Sequence, residues 1–69
     1  MLQELDLVVL TRDIADHQLQ VGDVGTVVHC YADGAAFEVE FVTAAGSTVA
    51  VLTLTPGDIR AFQAREILH

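Results

Sequence analysis

The sequence predicts an all-β fold, a single small barrel of five short strands. Residues 22–28 read Gly-Asp-Val-Gly-Thr-Val-Val, so glycines that accept a tight turn directly precede a β-branched run that favours a strand. Residues 37–41 alternate apolar side chains with glutamates, and Asp33-Gly34 is a strong hairpin signal between two β-rich segments. A sheet that closes into a barrel also removes the exposed edges that promote aggregation.

The first predicted strand covers residues 5–11. Val8 and Leu10 occupy one face of it, and Leu7 and Val9 occupy the other. Both faces are therefore apolar, and periodicity does not select the inner one.

A polar loop is predicted at residues 12–21, followed by the second strand at residues 24–31. Ile14 and Leu19 are apolar exceptions in the loop, and we expect them to fold back over the end of the barrel. The loop has room for a single helical turn. Residues 32–35 then form the hairpin turn that leads to the third strand.

The third predicted strand, residues 37–41, is strictly amphipathic. Its aromatic and aliphatic residues face one side, while Glu38 and Glu40 face the other. A solvated face explains these two glutamates better than a catalytic pair of carboxylates.

The fourth predicted strand, Thr48–Leu54, follows a turn at residues 44–47 and is apolar on both faces. In an isolated barrel one face meets water, so this strand is a candidate for a protein interface. The candidate interface residues in the first and fourth strands are Leu7, Val9, Val49, Val51, Leu52 and Leu54.

A short 3₁₀ turn is expected before the last strand. Thr55 is a suitable N-cap, Pro56 suits the first helical position, and Asp58 can complete a capping box. Residues 59–62 form the last predicted strand. Residues 63–69 either extend this strand or form a short helix, and the pattern does not decide between the two.

The composition predicts one soluble cytoplasmic domain, covering residues 1–69, that associates with protein. Hydrophobic residues make up 52% of the chain and charged residues 19%, which is more apolar surface than one small core encloses. We expect docking to another protein, or homo-oligomerisation, to bury the remaining apolar surface. Cys30 is the single cysteine, as suits a reducing compartment. No secretion signal and no apolar run of the about 20 residues that span a bilayer are present, so we expect no membrane association.

The charge balance bears on the class of partner. Ten acidic residues stand against three arginines and no lysine, for a net charge of −7. Nucleic-acid binding requires clustered basic residues, so we expect no nucleic-acid partner. A basic protein partner fits this charge. The candidate acidic contacts for such a partner are Asp13, Asp16, Glu38 and Glu40.

No residue pattern predicts an enzyme, a cofactor or a metal site. Cys30 lies within a strand and is expected to be a small packed side chain. Its neighbour His29 points to the opposite face, so the two do not share a metal ion. Asp13, Asp16 and His17 share a loop that could hold a cation weakly, but an ordinary hydrophilic loop explains them better.

The segment 22–28 resembles the KOW-type half of an SH3-like barrel, with its G-x-x-G-x-V signature. This resemblance implies a five-stranded SH3-like barrel with a 3₁₀ turn before the last strand. KOW modules contact RNA or ribosomal protein through basic loops. A nucleic-acid- or ribosome-associated module is therefore the alternative function, which the net charge of −7 disfavours.

Most of the chain resembles a small bacterial family, the domain-of-unknown-function family 4926. The segments that carry this resemblance are Asp6-x-Val8-x-Leu10, residues 22–28, Tyr31-x-Asp33-Gly34, residues 37–41 and residues 49–54. Residues 62–69 fit the family least well. The resemblance implies no activity. It implies a partner-binding role, antitoxin-like or accessory to a neighbouring gene product, with a basic toxin as one such partner.

Overall fold

Five antiparallel strands form one sheet in the described part of the computed structural model, residues 2–42 and 46–63. The order of the strands in the sheet is β4-β3-β2-β1-β5. The strands are β1 (Leu7–Leu10), β2 (Val24–Cys30), β3 (Phe37–Val42), β4 (Thr48–Leu54) and β5 (Ile59–Ala61). The predicted all-β class and the five strands are confirmed.

Strand bounds agree with the sequence patterns most closely at β4 and depart from them most at β1. At the start of β1, Leu5 has a positive φ of 76° and is 79% exposed. At its end, the Thr11 N–H donates to the carbonyl of Asp58 at 2.9 Å, so this residue belongs to a contact with the turn before β5. The predicted turn at 44–47 and the alternatives for 63–69 fall largely outside the described residues.

The core lies on one side of the sheet, where the predicted inner side of β3 is confirmed. Val39 and Phe41 are 0% and 2% exposed, and Val39 pairs with Leu52 of β4 in the register. The structure also shows which face of β1 is the inner one, because Val8 and Leu10 belong to the same buried cluster as Val39 and Phe41. The buried cluster comprises Val8, Leu10, Leu19, Val27, Phe37, Val39, Phe41, Leu54 and Ile59.

The loop between β1 and β2 folds back on this core, as expected. Ile14 and Leu19 form an isolated β-bridge around the 3₁₀ turn Ala15–His17. Leu19 is 7% exposed and belongs to the core, and Ile14 packs against it. The helical segments among the described residues are three-residue 3₁₀ turns, and none is long and apolar enough to cross a membrane.

The predicted turns before β3 and β5 are both present. Asp33 and Gly34 have φ angles of 69° and 67° and connect β2 to β3. In the turn Pro56–Asp58, Asp58 Oδ2 accepts hydrogen bonds from Thr55 N and Oγ1, both at 3.0 Å, so the capping box is confirmed. Arg12 Nε donates to Asp58 Oδ1 at 2.7 Å. This guanidinium, and then the Thr55 N–H, lower the pKa of Asp58.

Candidate functional site

The structure divides the six apolar residues predicted for an interface into two groups. In β4, successive side chains point to opposite faces, so this strand supplies both groups. In β1, Leu7 and Val9 share a face but differ in exposure, 47% against 3%. Leu54 is buried in the core, Leu52 packs against it, and Val9 is 3% exposed, so these three side chains do not form a surface. The three that are exposed are Leu7, Val49 and Val51.

Four exposed valines lie on the outer side of the strands β2, β3 and β4, and we call them the valine patch. They are Val24, Val42, Val49 and Val51, with exposed fractions of 42%, 52%, 42% and 51%. The first three line one concavity of about 480 Å³ together with the polar residues His17, Gln18 and Asp23. The core residues Leu19 and Phe41 line it as well, so the concavity reaches from the outer side to the border of the core. The patch is thus an apolar surface with polar groups at its border, which is the usual composition of a protein-binding site.

Glu40 lies between strands that carry members of the valine patch. It is half-buried on the outer side of β3, opposite Val51 of β4 and opposite Thr26 of β2. Its Oε2 accepts a hydrogen bond from Thr48 Oγ1 at 3.1 Å. The carboxylate is therefore fixed beside apolar side chains.

Glu38 is held by hydroxyl groups from both neighbouring strand regions. Tyr31 Oη and Thr53 Oγ1 donate to its Oε2 at 2.5 and 2.6 Å. The bond from Thr53, and then that from Tyr31, lower the pKa of Glu38. The Tyr31 ring also meets the ring of His29 edge to face, with centroids 4.8 Å apart. Glu38 is consequently an ordered carboxylate that stays ionised at neutral pH.

We expect Tyr31 to titrate above its ordinary pKa of 10.0, because the hydrogen bond to Glu38, desolvation and the negative charge of Glu38 all oppose ionisation. Tyr31 is the single tyrosine of a chain without tryptophan, so tyrosinate absorbance measures it directly. A Glu38→Gln variant is expected to lower the pKa, whereas Glu40→Gln leaves it unchanged. A wild-type pKa of 10.0 would show that this hydrogen bond does not persist in solution.

The other two predicted acidic contacts lie elsewhere, in the loop between β1 and β2. Asp13 Oδ1 accepts a hydrogen bond from the Val21 N–H at 2.9 Å, which is a contact within the loop. Asp16 is exposed in the turn Ala15–His17. In the described ranges, no three acidic, histidine or cysteine side chains lie together as ligands of one ion would, so the four carboxylates do not form one cluster.

Cys30 lies in β2, half-buried, and packs against the core. Its Sγ–H donates a weak hydrogen bond to the carbonyl of Leu2, with a distance of 3.8 Å. Among residues 2–42 and 46–63, no three His, Cys, Asp or Glu side chains lie together as metal ligands would.

Four residues of this surface were not among the site residues predicted from the sequence: Val24, Val42, Tyr31 and Thr53. A signal for Val42 was present, since it continues the outward alternation of Glu38 and Glu40. Val24 lies two residues before Thr26, which is paired with Glu40, so alternation along β2 also indicates that Val24 faces outward. The contacts of Tyr31 and Thr53 with Glu38 carry no local signal, because they depend on the register of three strands.

Comparison with known proteins identifies a family but no relative of established role. The family model described as domain of unknown function DUF4926 matches residues 4–61. No curated protein and no solved structure matches the chain.

Proposed function

Because the chain belongs to the DUF4926 family, described only as a domain of unknown function, we propose a function from its own surface. The protein is a non-enzymatic binding domain that docks another protein on the outer side of β2, β3 and β4. The observation that carries this proposal is the valine patch, four half-exposed apolar side chains on adjacent strands beside Glu38 and Glu40.

The physical argument starts from the apolar surface. Each valine of the patch leaves roughly half of its side chain in water, and burying this surface against a partner releases free energy at about 25 cal/mol per Å². Three of the four line a shared concavity, which suits a protruding apolar side chain.

The charge selects the class of partner. Glu38 and Glu40 lie on the same outer side, and the chain carries a net charge of −7. Complementary charge accelerates association and suppresses wrong partners. A basic protein fits this surface, and an antitoxin-like role toward a basic toxin is one form of the proposal. We place the protein in the cytoplasm, where its single thiol stays reduced.

The test is affinity capture from the native cell with the tagged chain and two variants. A Val24→Thr/Val42→Thr variant keeps the β-branched shape but makes the patch polar, whereas Val21→Thr changes a loop valine that is 59% exposed. We expect a basic protein, identified by mass spectrometry, to be retained by the wild type and by Val21→Thr and to be lost with the double variant.

Two results would contradict the proposal. One is that the wild-type chain retains no protein. The other is that the double variant, shown to be folded by circular dichroism, retains the same protein as the wild type does.

A further inference from the structure

The strand β4 forms one end of the sheet of the described residues, and we call its edge on the side away from β3 the open edge. Within the described residues β4 pairs with β3 alone. Its seven residues, Thr-Val-Ala-Val-Leu-Thr-Leu, include no charged residue, proline or glycine. Edge strands are normally protected by charged residues or proline, by a β-bulge or by being short. The register of β4 with β3 is irregular only at the start of β4, where Val42 pairs with Thr48 and Phe41 with Ala50. The strand at the other end, β5, has only three residues and carries Arg60.

The hydrogen-bond pattern shows which backbone groups of β4 face this edge. Val27 of β2 donates its N–H to the carbonyl of Asp6 at 2.9 Å, toward the β1 side. Backbone N–H and C=O groups of successive residues point to alternate neighbours, so those of Thr26, the preceding residue, point toward β3. Thr26 is paired with Glu40, whose backbone N–H and C=O therefore point back to β2. Glu40 is paired with Val51 across the other side of β3. The N–H and C=O of Val51 consequently point away from β3, to the open edge.

An added strand would have two different faces. Its inner side chains would lie beside Ala50 and Leu52, which are half-buried at the border of the core. Its outer side chains would lie beside Val51. Glu38 and Glu40 stand one strand further on, at about 10 Å from the added strand, because neighbouring strands are about 4.8 Å apart. Lysine and arginine are long enough to reach these carboxylates, so apolar residues fit the inner side and basic residues the outer side.

We propose that the open edge of β4 receives an extended strand of a partner protein in which basic and apolar residues alternate. This inference rests on the proposed protein-binding function and specifies its mode, β-strand addition, in which main-chain hydrogen bonds supply affinity and alternate side chains supply specificity. A second copy fits less well, because its own β4 offers no basic side chain to Glu38 and Glu40.

The probe is a fluorescent eight-residue peptide that alternates lysine and valine, with binding measured by fluorescence anisotropy. A second peptide of the same composition, with the repeat Lys-Lys-Val-Val, places charge on both faces. We expect the alternating peptide to bind about tenfold more tightly than the second peptide, since only it satisfies both sides of the edge.

A pair of variants at one position separates the edge from the side chain. Val51→Pro removes the N–H that points to the open edge but removes no hydrogen bond to β3. Val51→Ile keeps that N–H, the β-branched shape and the apolar side chain. We expect Val51→Pro to weaken binding of the alternating peptide about tenfold and Val51→Ile to weaken it less than about threefold. Circular dichroism establishes that both variants are folded.

Four results would overturn this inference. The two peptides could bind equally, which would indicate charge attraction alone. Val51→Pro could bind as the wild type does. Sedimentation could reveal dimers that Val51→Pro dissociates, which would make a second copy the occupant. If affinity capture retains a protein on the wild type and on Val51→Pro alike, the binding function stands and strand addition at β4 fails.

Discussion

Replacing Gly25 by alanine is expected to lower the free energy of unfolding by about 3 kcal/mol. Gly25 is buried in β2. A Cβ at this position would lie 2.7 Å from Phe41 Cε1, 2.7 Å from Val39 Cγ1 and 3.0 Å from the carbonyl oxygen of Glu40. The two side chains belong to the packed core and the third atom is backbone, so none of them moves without disturbing β3. Urea denaturation followed by far-UV circular dichroism measures the loss.

The matched control is Gly57→Ala, in the 3₁₀ turn before β5. A Cβ there has its nearest neighbour, Thr55 Oγ1, at 3.9 Å, an ordinary contact. We expect this variant to stay within about 0.5 kcal/mol of the wild type. If Gly25→Ala denatured at the wild-type urea concentration, the close approach of β2 to the side chains of β3 would not exist in solution.

The two glycines of the segment 22–28 have different structural roles, and the sequence predicted only one of them. Gly22 has a φ of 95°, so it is the turn glycine that the pattern indicates. Gly25 lies inside the strand, and it is required because Val39 and Phe41 approach its backbone. Those neighbours come from β3, about 15 residues along the chain, and no local pattern announces them.

Elements with local signals were predictable, and faces decided by strand pairing were not. The alternation in residues 37–41 and the capping box of Thr55 and Asp58 are carried by neighbouring residues, and both are confirmed. The sequence did not indicate which face of β1 or of β4 is the inner one, because both faces of each strand are apolar. The register with β2 and β3 decides this, and it places Leu54 in the core while it leaves Val51 exposed.

The candidate site shows the same division. The outward direction of Glu38 and Glu40 follows from alternation, and it is confirmed. The hydroxyl groups that hold Glu38 come from Thr53 in β4 and from Tyr31 directly after β2, so only the assembled sheet brings them together. The KOW-like and SH3-like details, including closure of the sheet into a barrel, stay predictions. The described strands form one sheet in which β4 and β5 are the ends.

Replacing Phe41 by alanine is expected to remove about 4 kcal/mol of stability, the largest loss we expect from a single change. Phe41 is 2% exposed and is the largest fully buried side chain. Its ring packs beside Gly25, where no side chain is available to fill the cavity. A chain of this length has roughly 3 to 10 kcal/mol of stability in total, so the variant is expected to be largely unfolded by far-UV circular dichroism.

The adjacent residue supplies the control for Phe41. Val42→Ala changes a side chain that is 52% exposed, and we expect its effect on stability to be within about 0.5 kcal/mol. Phe41→Leu, which fills part of the cavity, is expected to lose about 1.5 kcal/mol and remains measurable if the alanine variant does not fold. Neighbouring residues of a strand face opposite sides. A small loss of stability on changing Phe41, together with a large loss on changing Val42, would therefore show that Val42 and not Phe41 faces the core. The outward placement of Glu40 and of the valine patch would then be wrong, and the proposed binding surface would be lost with it.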